Sequence, residues 1–288
     1  MTAPVTPSMH LPSAEGAAFP ALGLGTYGMG AAELSTMIPA ALAAGLTHID
    51  TAQVYRNEDA VGELVAASGL PRSQVFLTTK MWVANYPSRS FAASLDASLR
   101  RLRTDHVDLL LLHWPSNAVP LAEQIGGLEA AVRAGKARHI GVSNFNAAMV
   151  DAAMRLSTVP IVTNQFEFHP YLNQRPLLAA CREAGLVVTA YCPMAVGRVF
   201  GDAVLKDIAA RHRKSVAQVV LRWIHQQGIA TLFRSTNPSR IGDNMHIFDF
   251  ALSAEEMEAI AALADPNGRI VDPPGLAPVW DPTPPLPA

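Results

Sequence analysis

The sequence predicts an α/β fold in which one domain, residues 1–288, forms a closed (β/α)8 TIM barrel. Short apolar runs alternate with Ala-rich helical stretches, a pattern typical of parallel strands joined by crossover helices. The chain has room for about eight such strand–helix units. The apolar runs have no polar face, as is required of parallel strands that are covered on both sides. No linker or shift of composition separates the units, so we predict one barrel.

The individual elements follow from the same pattern. The predicted strands cover Ala21–Gly25, His48–Ala52, Val75–Lys80, Val107–Trp114, Ala137–Asn144, Ile161–Phe168, Leu186–Met194 and Gly228–Ser235. The clearest helical patterns cover Asn57–Ser68, Arg89–Leu102, Ala122–Ala134 and Pro176–Ala184. Gly45, Gly135 and Gly185 follow Ala-rich stretches at positions where glycine commonly ends a helix. Pro39 interrupts the first helical pattern, and we expect it to begin or kink that helix.

Both ends of the chain are rich in proline. Within residues 1–20 we expect a small hairpin around Ala14–Gly16. Residues 266–288 contain too many prolines for a regular helix or a central strand, so we expect an extended arm that lies over the barrel.

Charge and composition exclude several classes of protein. The formal net charge of −2 favours neither nucleic acid nor an acidic membrane surface. No apolar run is long enough to span a bilayer, and the N-terminus lacks the features of a signal peptide. The two cysteines, Cys181 and Cys192, lie in apolar surroundings and are expected to be reduced core residues. We therefore expect a cytoplasmic protein without a nucleic-acid or membrane partner.

One motif favours a different fold. Gly23–Gly28 matches G-x-G-x-x-G, and Asp50 follows at about the distance of the acidic residue in a dinucleotide-binding fold. The preceding run is short and contains Pro20, which suits a central strand poorly. No tyrosine is followed by lysine at the spacing of a short-chain dehydrogenase. We therefore favour the barrel, where these glycines turn the first strand tightly at the rim.

Four chemically distinct side chains lie at or close to the ends of three successive predicted strands: Asp50, Tyr55, Lys80 and His113. Strand ends converge at one mouth of a barrel, so we expect these four to share a pocket. A neighbouring ammonium is expected to lower the pKa of a phenol from about 10, which would let it protonate a developing alkoxide. Taken singly, Asp50 could cap a helix, Lys80 could extend to solvent, and His113 could be a core histidine.

The later strands carry two further sets of polar residues. Ser143, Asn144, Gln165 and Tyr191 suit a carboxamide-bearing ring, although Ser143 or Asn144 could instead cap a helix and Tyr191 could be core. Arg234, Ser235 and Arg240 follow the last strand, where barrels commonly bind phosphate. The alternative for this set is a solvated basic helix start. The nine histidines lack paired ligand spacing, so we expect no metal site.

Seven segments within residues 22–250 form an ordered set of motifs: GLTHIDTAQVYRNEDAVGELV, LTTKMW, DLLLLHWP, GKARHIGVSNF, TNQFEFHPYL, VVTAYCPM and RSTNPSRIGDN. Together they resemble the aldo-keto reductase superfamily. The resemblance implies a barrel closed at its base by a hairpin and an NADPH-dependent reduction of aldehydes or ketones. It further implies that Tyr55 is the proton donor, Lys80 tunes it, Asp50 holds Lys80 and His113 orients the carbonyl.

The same resemblance implies the cofactor contacts. Ser143, Asn144 and Gln165 would contact the nicotinamide and Tyr191 would stack on it, while Arg234, Ser235, Arg240 and Asn244 would surround the adenosine 2′-phosphate and the adenine. The family usually has Ile-Pro-Lys-Ser at the last strand end, where this chain has Leu232-Phe233-Arg234-Ser235. Arginine keeps the positive charge, so NADPH remains favoured, but the strength of that preference is open.

The resemblance also implies a small carbonyl substrate and a monomer. We expect aromatic substrate walls from Tyr27, Trp82, Trp114 and Trp280, although Trp82 and Trp114 could be core residues. The pattern is most similar to bacterial members that reduce diketo-gluconate, methylglyoxal and other aldehydes. The alternative within this family is a non-catalytic NADP(H)-binding regulatory module, which the intact set of four polar residues disfavours.

Overall fold

The computed structural model describes residues 10–12 and 18–282 and contains a closed barrel of eight parallel strands. Two strands outside the barrel, β1 (His10–Pro12) and β2 (Ala18–Pro20), form an antiparallel hairpin. The barrel strands are β3 (Leu22–Gly25), β4 (His48–Asp50), β5 (Phe76–Met81), β6 (Val107–Leu112), β7 (Ala137–Ser143), β8 (Ile161–Glu167), β9 (Val187–Tyr191) and β10 (Ala230–Phe233). Each pairs with the next along the chain, and β10 closes the barrel on β3, which confirms the predicted fold class.

Helices follow the strands around the outside of the barrel. They are α1 (Ala31–Ala43), α2 (Glu58–Ala67), α3 (Ser88–Arg101), α4 (Leu121–Arg133), α5 (Ala147–Leu156), α6 (Arg175–Glu183), α7 (Ala203–His212), α8 (Val216–His225), α9 (Ser239–Met245) and α10 (Ala254–Ala261). Short 3₁₀ turns cover Gln53–Tyr55, Arg72–Gln74, Val83–Asn85 and Ala195–Gly201. Because helices cover the outside, every residue of β6 and of β8 is buried.

Two local expectations about helix ends have different outcomes. Gly45, Gly135 and Gly185 have φ values of +84°, +68° and +74° just after α1, α4 and α6, which confirms their role at the helix ends. Of the two roles expected for Pro39, that of beginning the first helix is wrong, and a kink at Pro39 stays a prediction. Helix α1 begins at Ala31 and includes Pro39, and its buried face, with Met37 and Ile38 fully inaccessible, holds the helix together across the proline.

The hairpin closes the amino-terminal end of the barrel. Leu11 and Phe19 form one buried cluster with interior strand residues that include Leu109 and Val187. The ring of Phe19 is 5.3 Å from that of Phe76, the first residue of β5. The hairpin is therefore present, while its predicted centre at Ala14–Gly16 lies outside the described residues.

The dinucleotide-binding alternative for the glycine-rich segment is excluded by the topology. Strand β3 pairs with β10 and β4 inside the closed barrel. A Cβ atom on Gly23 would lie 2.7 Å from both the His48 ring and the Leu232 side chain. Gly23 is therefore a packing requirement of the barrel rather than part of a phosphate loop.

The last part of the chain crosses the carboxyl-terminal rim of the barrel without regular structure. The backbone N–H groups of Ile270 and Val271 donate to the buried Glu167 carboxylate at 2.8 and 2.9 Å. Further along, Val279 accepts from the Asn146 side chain at 2.8 Å, which ties the arm to the start of α5. The extended arm is present as predicted up to residue 282. In the described part of the chain, no helix has the length and apolar character needed to cross a membrane.

Candidate active site

The four side chains that follow the first strands meet at the carboxyl-terminal rim. Asp50 is the last residue of β4, Lys80 lies in β5, and His113 directly follows β6. Tyr55 ends the 3₁₀ turn after β4. The Lys80 ammonium donates to Asp50 Oδ1, to the Thr51 carbonyl oxygen at 3.0 Å and to Tyr55 Oη at 3.3 Å. The predicted convergence of these groups is therefore present in the structure.

The pair formed by Asp50 and Lys80 is sealed from solvent, since their side chains are 3% and 1% exposed. Burial raises the pKa of the Asp50 carboxyl, and the Lys80 ammonium opposes that rise. Burial lowers the pKa of Lys80, and Asp50 opposes that fall in turn. Gln165 Nε2 donates to Asp50 Oδ2 at 3.0 Å, so both carboxylate oxygens have partners and Asp50 is not a helix cap.

Tyr55 is enclosed by other rings. Its ring centroid is 5.1 Å from that of Tyr27 and 5.5 Å from that of His113. Burial raises the pKa of Tyr55 well above 10, and the charge of Asp50 and the Tyr27 hydroxyl raise it further. This direction is opposite to the sequence-based expectation, because burial is the largest effect and the nearby Asp50 carboxylate acts in the same direction. The phenol is thus a protonated group at neutral pH.

His113 is also protected from solvent. Burial, followed by the Lys80 charge, lowers the pKa of His113 well below 6.5, so the ring is neutral near pH 7. Within the described residues, its buried Nδ1 has no hydrogen-bond partner. A buried N–H without an acceptor costs more than an unused lone pair, which favours the tautomer with its proton on Nε2. The ring lies between Tyr55 and Trp82, both at 5.5 Å between centroids.

The predicted nicotinamide residues form one hydrogen-bonded network. Ser143 Oγ donates to the Gln165 carbonyl oxygen at 2.7 Å, and Tyr191 Oη donates to Asn144 Oδ1 at 2.8 Å. Asn144 Nδ2 donates to the His113 carbonyl oxygen at 3.0 Å and to Ser143 Oγ at 3.1 Å. Neither Ser143 nor Asn144 caps the next helix, since Asn146 accepts from Met149 N at 2.9 Å.

This donor set suits a carboxamide. Gln165 joins the network to Asp50 through Nε2, and within the described chain its side-chain oxygen has no hydrogen-bond donor. That oxygen is available to accept from an amide N–H. Burial raises the pKa of Tyr191 well above 10, so its hydroxyl stays a donor to Asn144 and its ring orientation is held. The residues present therefore fit a nicotinamide ring.

The predicted phosphate residues are more open. Arg234 Nη2 lies 3.3 Å from both the Gly28 carbonyl oxygen and Glu33 Oε1. Ser235 Oγ donates to the Asn237 carbonyl oxygen at 3.0 Å. Helix α9 carries the exposed Arg240 and the buried Asn244. Two cationic side chains thus face solvent beyond β10, which fits a phosphate monoester.

The four predicted wall aromatics lie at different depths. Tyr27 is 72% exposed, and Trp82 lies against His113. Trp114 is only 6% exposed, and its ring is 6.4 Å from that of Trp280 on the arm. Trp114 is therefore mostly a core residue, as the alternative expectation had it. Its ring also contacts Trp280 on the arm.

Gln53 is a residue of the site that sequence reasoning missed. Its Oε1 accepts from Trp82 N at 2.8 Å and from Asn85 Nδ2 at 2.9 Å, and its Nε2 donates to Ser94 Oγ at 2.9 Å. These bonds join the turn that carries Tyr55 to the segment that carries Trp82. The only available signal was its position within the AQVYRNE motif.

The structure also has a second groove, which is separate from the candidate active site. A groove of about 510 Å³ runs along α6, α8 and α10, lined by residues such as Phe168 and Trp223, and it contains none of the four polar residues. Arg175 and Arg182 in that groove already contact Glu258 and the Gln227 carbonyl oxygen. Among residues 10–12 and 18–282, no group of three or more His, Cys, Asp or Glu side chains could hold a metal ion.

Comparisons with known proteins identify the family to which this sequence is similar. Residues 21–265 match the model of the Aldo/keto reductase family. Methylglyoxal reductase DkgB from Escherichia coli O157:H7 is 40% identical over 267 residues, covering 92% of this chain and 100% of the relative. An aldo-keto reductase from Mycobacterium sp. (strain MCS) is 44% identical over 253 residues, covering 86% of this chain and 88% of the relative.

Solved structures share the fold over nearly the whole chain. A provisionally named 2,5-diketo-D-gluconic acid reductase B is 54% identical with a TM-score of 0.93, covering 95% of this chain and 98% of the other. An aldo-keto reductase from Bombyx mori in complex with NADP is 34% identical with a TM-score of 0.86, covering 93% of this chain and 96% of the other.

Proposed function

Because this chain belongs to the aldo/keto reductase family, we propose that Tyr55 is the proton donor of its reaction. The chain is an NADP(H)-dependent oxidoreductase that reduces the carbonyl groups of aldehydes and ketones to alcohols. The observation that carries the assignment of Tyr55 is the Lys80 ammonium, which contacts both Asp50 and Tyr55 Oη.

The proposed roles follow from charge and burial. When bound, NADPH supplies the hydride that adds to the carbonyl carbon. Tyr55 Oη transfers its proton to the carbonyl oxygen as that oxygen gains negative charge. Lys80, 3.3 Å away, stabilises the phenolate that remains, and Asp50 keeps the ammonium charged and in place. The raised pKa keeps the proton on Tyr55 until a stronger base forms beside it.

His113 orients the carbonyl group in this proposal. A neutral imidazole with its proton on Nε2 donates a hydrogen bond to the substrate oxygen without competing with Tyr55 as an acid. The lowered pKa of His113 supports this role, because an imidazolium would place a second positive charge beside Lys80.

The proposed cofactor contacts divide between two regions. Ser143, Asn144 and Gln165 bind the nicotinamide carboxamide, and Tyr191 stacks on the ring. Arg234, Ser235, Arg240 and Asn244 bind the adenosine 2′-phosphate and the adenine. The linked hydrogen bonds of the first group and the two exposed arginines of the second support this division.

For the substrate, we propose small or partly apolar aldehydes and dicarbonyl compounds. Tyr27, Trp82, Trp114 and Trp280 supply aromatic surface around the mouth that holds Tyr55. Relatives named as a methylglyoxal reductase and a 2,5-diketo-D-gluconic acid reductase support a dicarbonyl substrate.

We also propose a cytoplasmic monomer that contains one domain. Cys181 and Cys192 are both free thiols, which suits a reducing compartment. Light scattering is expected to give the mass of one chain, and cell fractionation is expected to recover the protein in the cytosolic fraction.

Replacing Tyr55 with phenylalanine tests the proposal directly. Tyr55→Phe is expected to lower kcat for methylglyoxal by about 10²- to 10⁴-fold, the usual contribution of a general acid, while NADPH binding by fluorescence stays intact. Tyr171→Phe is the matched control, because that hydroxyl bonds Asp202 at 3.1 Å and lies outside the proposed machinery. Retained turnover in Tyr55→Phe would show that another group supplies the proton.

A further inference from the structure

Arg234, the proposed ligand of the adenosine 2′-phosphate, already has an anionic partner. Its Nη2 lies 3.3 Å from Glu33 Oε1, and the same nitrogen donates to the Gly28 carbonyl oxygen at 3.3 Å. The two side chains are 46% and 38% exposed, so solvent and ligands reach both. A phosphate that binds this guanidinium must therefore approach a carboxylate.

Glu33 is held in place from its other side. Its Oε2 accepts from the backbone N–H of Gly30 at 3.2 Å, which forms part of the capping box at the start of α1. With Oε2 bound to Gly30, the other oxygen, Oε1, lies 3.3 Å from Arg234 Nη2. This bond favours an orientation that keeps the negative charge of Glu33 beside the proposed phosphate site.

The second proposed phosphate residue has no such partner. In the described part of the chain, the exposed Arg240 side chain forms no ion pair, whereas Arg234 forms one with Glu33. The two arginines therefore differ in the charge that they offer an incoming anion. The positive charge of Arg234 is partly offset before any ligand binds.

We propose that Glu33 is a specificity-determining residue that competes with the adenosine 2′-phosphate for Arg234 and so narrows the preference for NADPH over NADH. This inference rests on the proposed phosphate contact of Arg234. A 2′-phosphate carries between one and two negative charges at neutral pH and is repelled by a carboxylate at this distance. NADH lacks this phosphate, so its affinity does not depend on the Glu33 charge.

The test compares the dissociation constants of NADPH and NADH, measured by fluorescence titration, for wild type and Glu33→Gln. Glutamine keeps the shape of the side chain and can still accept from Gly30 N, so α1 keeps its cap. The Kd for NADPH is expected to fall about three- to fivefold, near the upper range for an exposed ion pair, while the Kd for NADH stays within about twofold. The gain is expected to shrink in 0.5 M salt because of screening.

Glu63→Gln is the matched control. Glu63 pairs with Arg103 at 3.1 Å, and both side chains are exposed, but neither is part of the proposed site. Glu63→Gln changes the net charge of the protein by the same amount as Glu33→Gln does. An equal gain in NADPH affinity in both variants would show a general charge effect and overturn the proposal.

The remaining outcomes separate this inference from the proposed function. Unchanged NADPH binding in Glu33→Gln would show that Glu33 does not compete with the phosphate. Weaker NADPH binding would also overturn the proposal, because it would show that Glu33 orients Arg234 for the phosphate. Arg234→Ala tests the contact itself. If Arg234→Ala lowers the NADPH preference but Glu33→Gln does not raise it, only the competition is wrong. If Arg234→Ala leaves the preference unchanged, the proposed phosphate contact is wrong as well.

Discussion

Two ion pairs at the same rim of the barrel differ in how far their side chains are exposed to solvent. The pair of Lys80 and Asp50 is buried, with side chains 1% and 3% exposed. The pair of Arg234 and Glu33 is 46% and 38% exposed. Charges interact far more strongly where water is excluded, and removal of one buried partner leaves the other charge unpaired. Exposed pairs contribute little and respond to salt.

This difference divides the site into a rigid end and an adjustable end. At the buried end, Gln165, Thr51 and Tyr55 add hydrogen bonds to the same two charges, so no single group can change without affecting the others. At the exposed end, each contact is weak and can be replaced at small cost to the fold. The buried end suits chemistry that needs fixed geometry. The exposed end suits the adjustment of cofactor preference.

The largest effect is expected from Lys80→Met at the buried end. The variant leaves the Asp50 carboxylate buried without its counter-ion, so we expect a loss of unfolding free energy of about 3–5 kcal/mol. The loss of the phenolate's partner is also expected to lower kcat/KM by at least about 10³-fold. Urea unfolding and steady-state kinetics measure the two effects.

Lys136→Met is the matched control for that variant. Lys136 Nζ contacts Asp96 Oδ1 at 2.5 Å, but the two side chains are 33% and 38% exposed. We expect a change in unfolding free energy below about 1 kcal/mol, as for other exposed pairs. Similar losses in both variants would contradict the distinction between buried and exposed pairs.

A smaller effect on the unfolding free energy is expected from a change of pH. It too arises from a buried side chain of the barrel, His48. Burial, with a contribution from the Lys80 charge, lowers the pKa of His48 to about 3. Below about 6.5 the unfolded chain binds a proton at this residue that the folded protein does not, so stability falls as the pH drops from 6.5 towards 3. By pH 5 this histidine is expected to cost about 1–2 kcal/mol of unfolding free energy.

Urea unfolding of His48→Gln between pH 7 and pH 5 checks this pH dependence. The variant is expected to lose less stability over that interval than the wild type does. An identical slope in the variant and the wild type would rule out His48 as a source of acid sensitivity.

The smallest effect is expected on the arm. Trp280 is partly exposed and contacts both Trp114 and Arg269, whose guanidinium lies 3.7 Å from the indole centroid. Trp280→Ala removes one apolar wall, so KM for methylglyoxal is expected to rise about three- to tenfold with little change in kcat. Val279→Ala, at an arm residue 87% exposed, is the control and is expected to leave KM unchanged. A large drop in kcat for Trp280→Ala would instead indicate that the arm supports the chemical step.

Much of the fold and the convergence of the site could be read from periodicity alone. Apolar runs and helix-ending glycines are local signals, and parallel strands necessarily end at one rim. Asp50, Lys80 and His113 could therefore be placed together before any distance was known. The boundaries were less secure, as Pro39 shows, because tertiary packing can hold a helix across a residue that local rules would exclude.

The sequence by itself determined the order of the strands, placed their ends to within a few residues and indicated which chemical groups share the mouth of the barrel. Only the tertiary structure decided how those groups behave. The pKa of Tyr55 rises because the phenol is buried and lies near the Asp50 charge. Arg234 contacts Glu33, which is 201 positions away in the sequence. Desolvation and long-range pairing depend on what surrounds a side chain in space, and that information is absent from any local pattern.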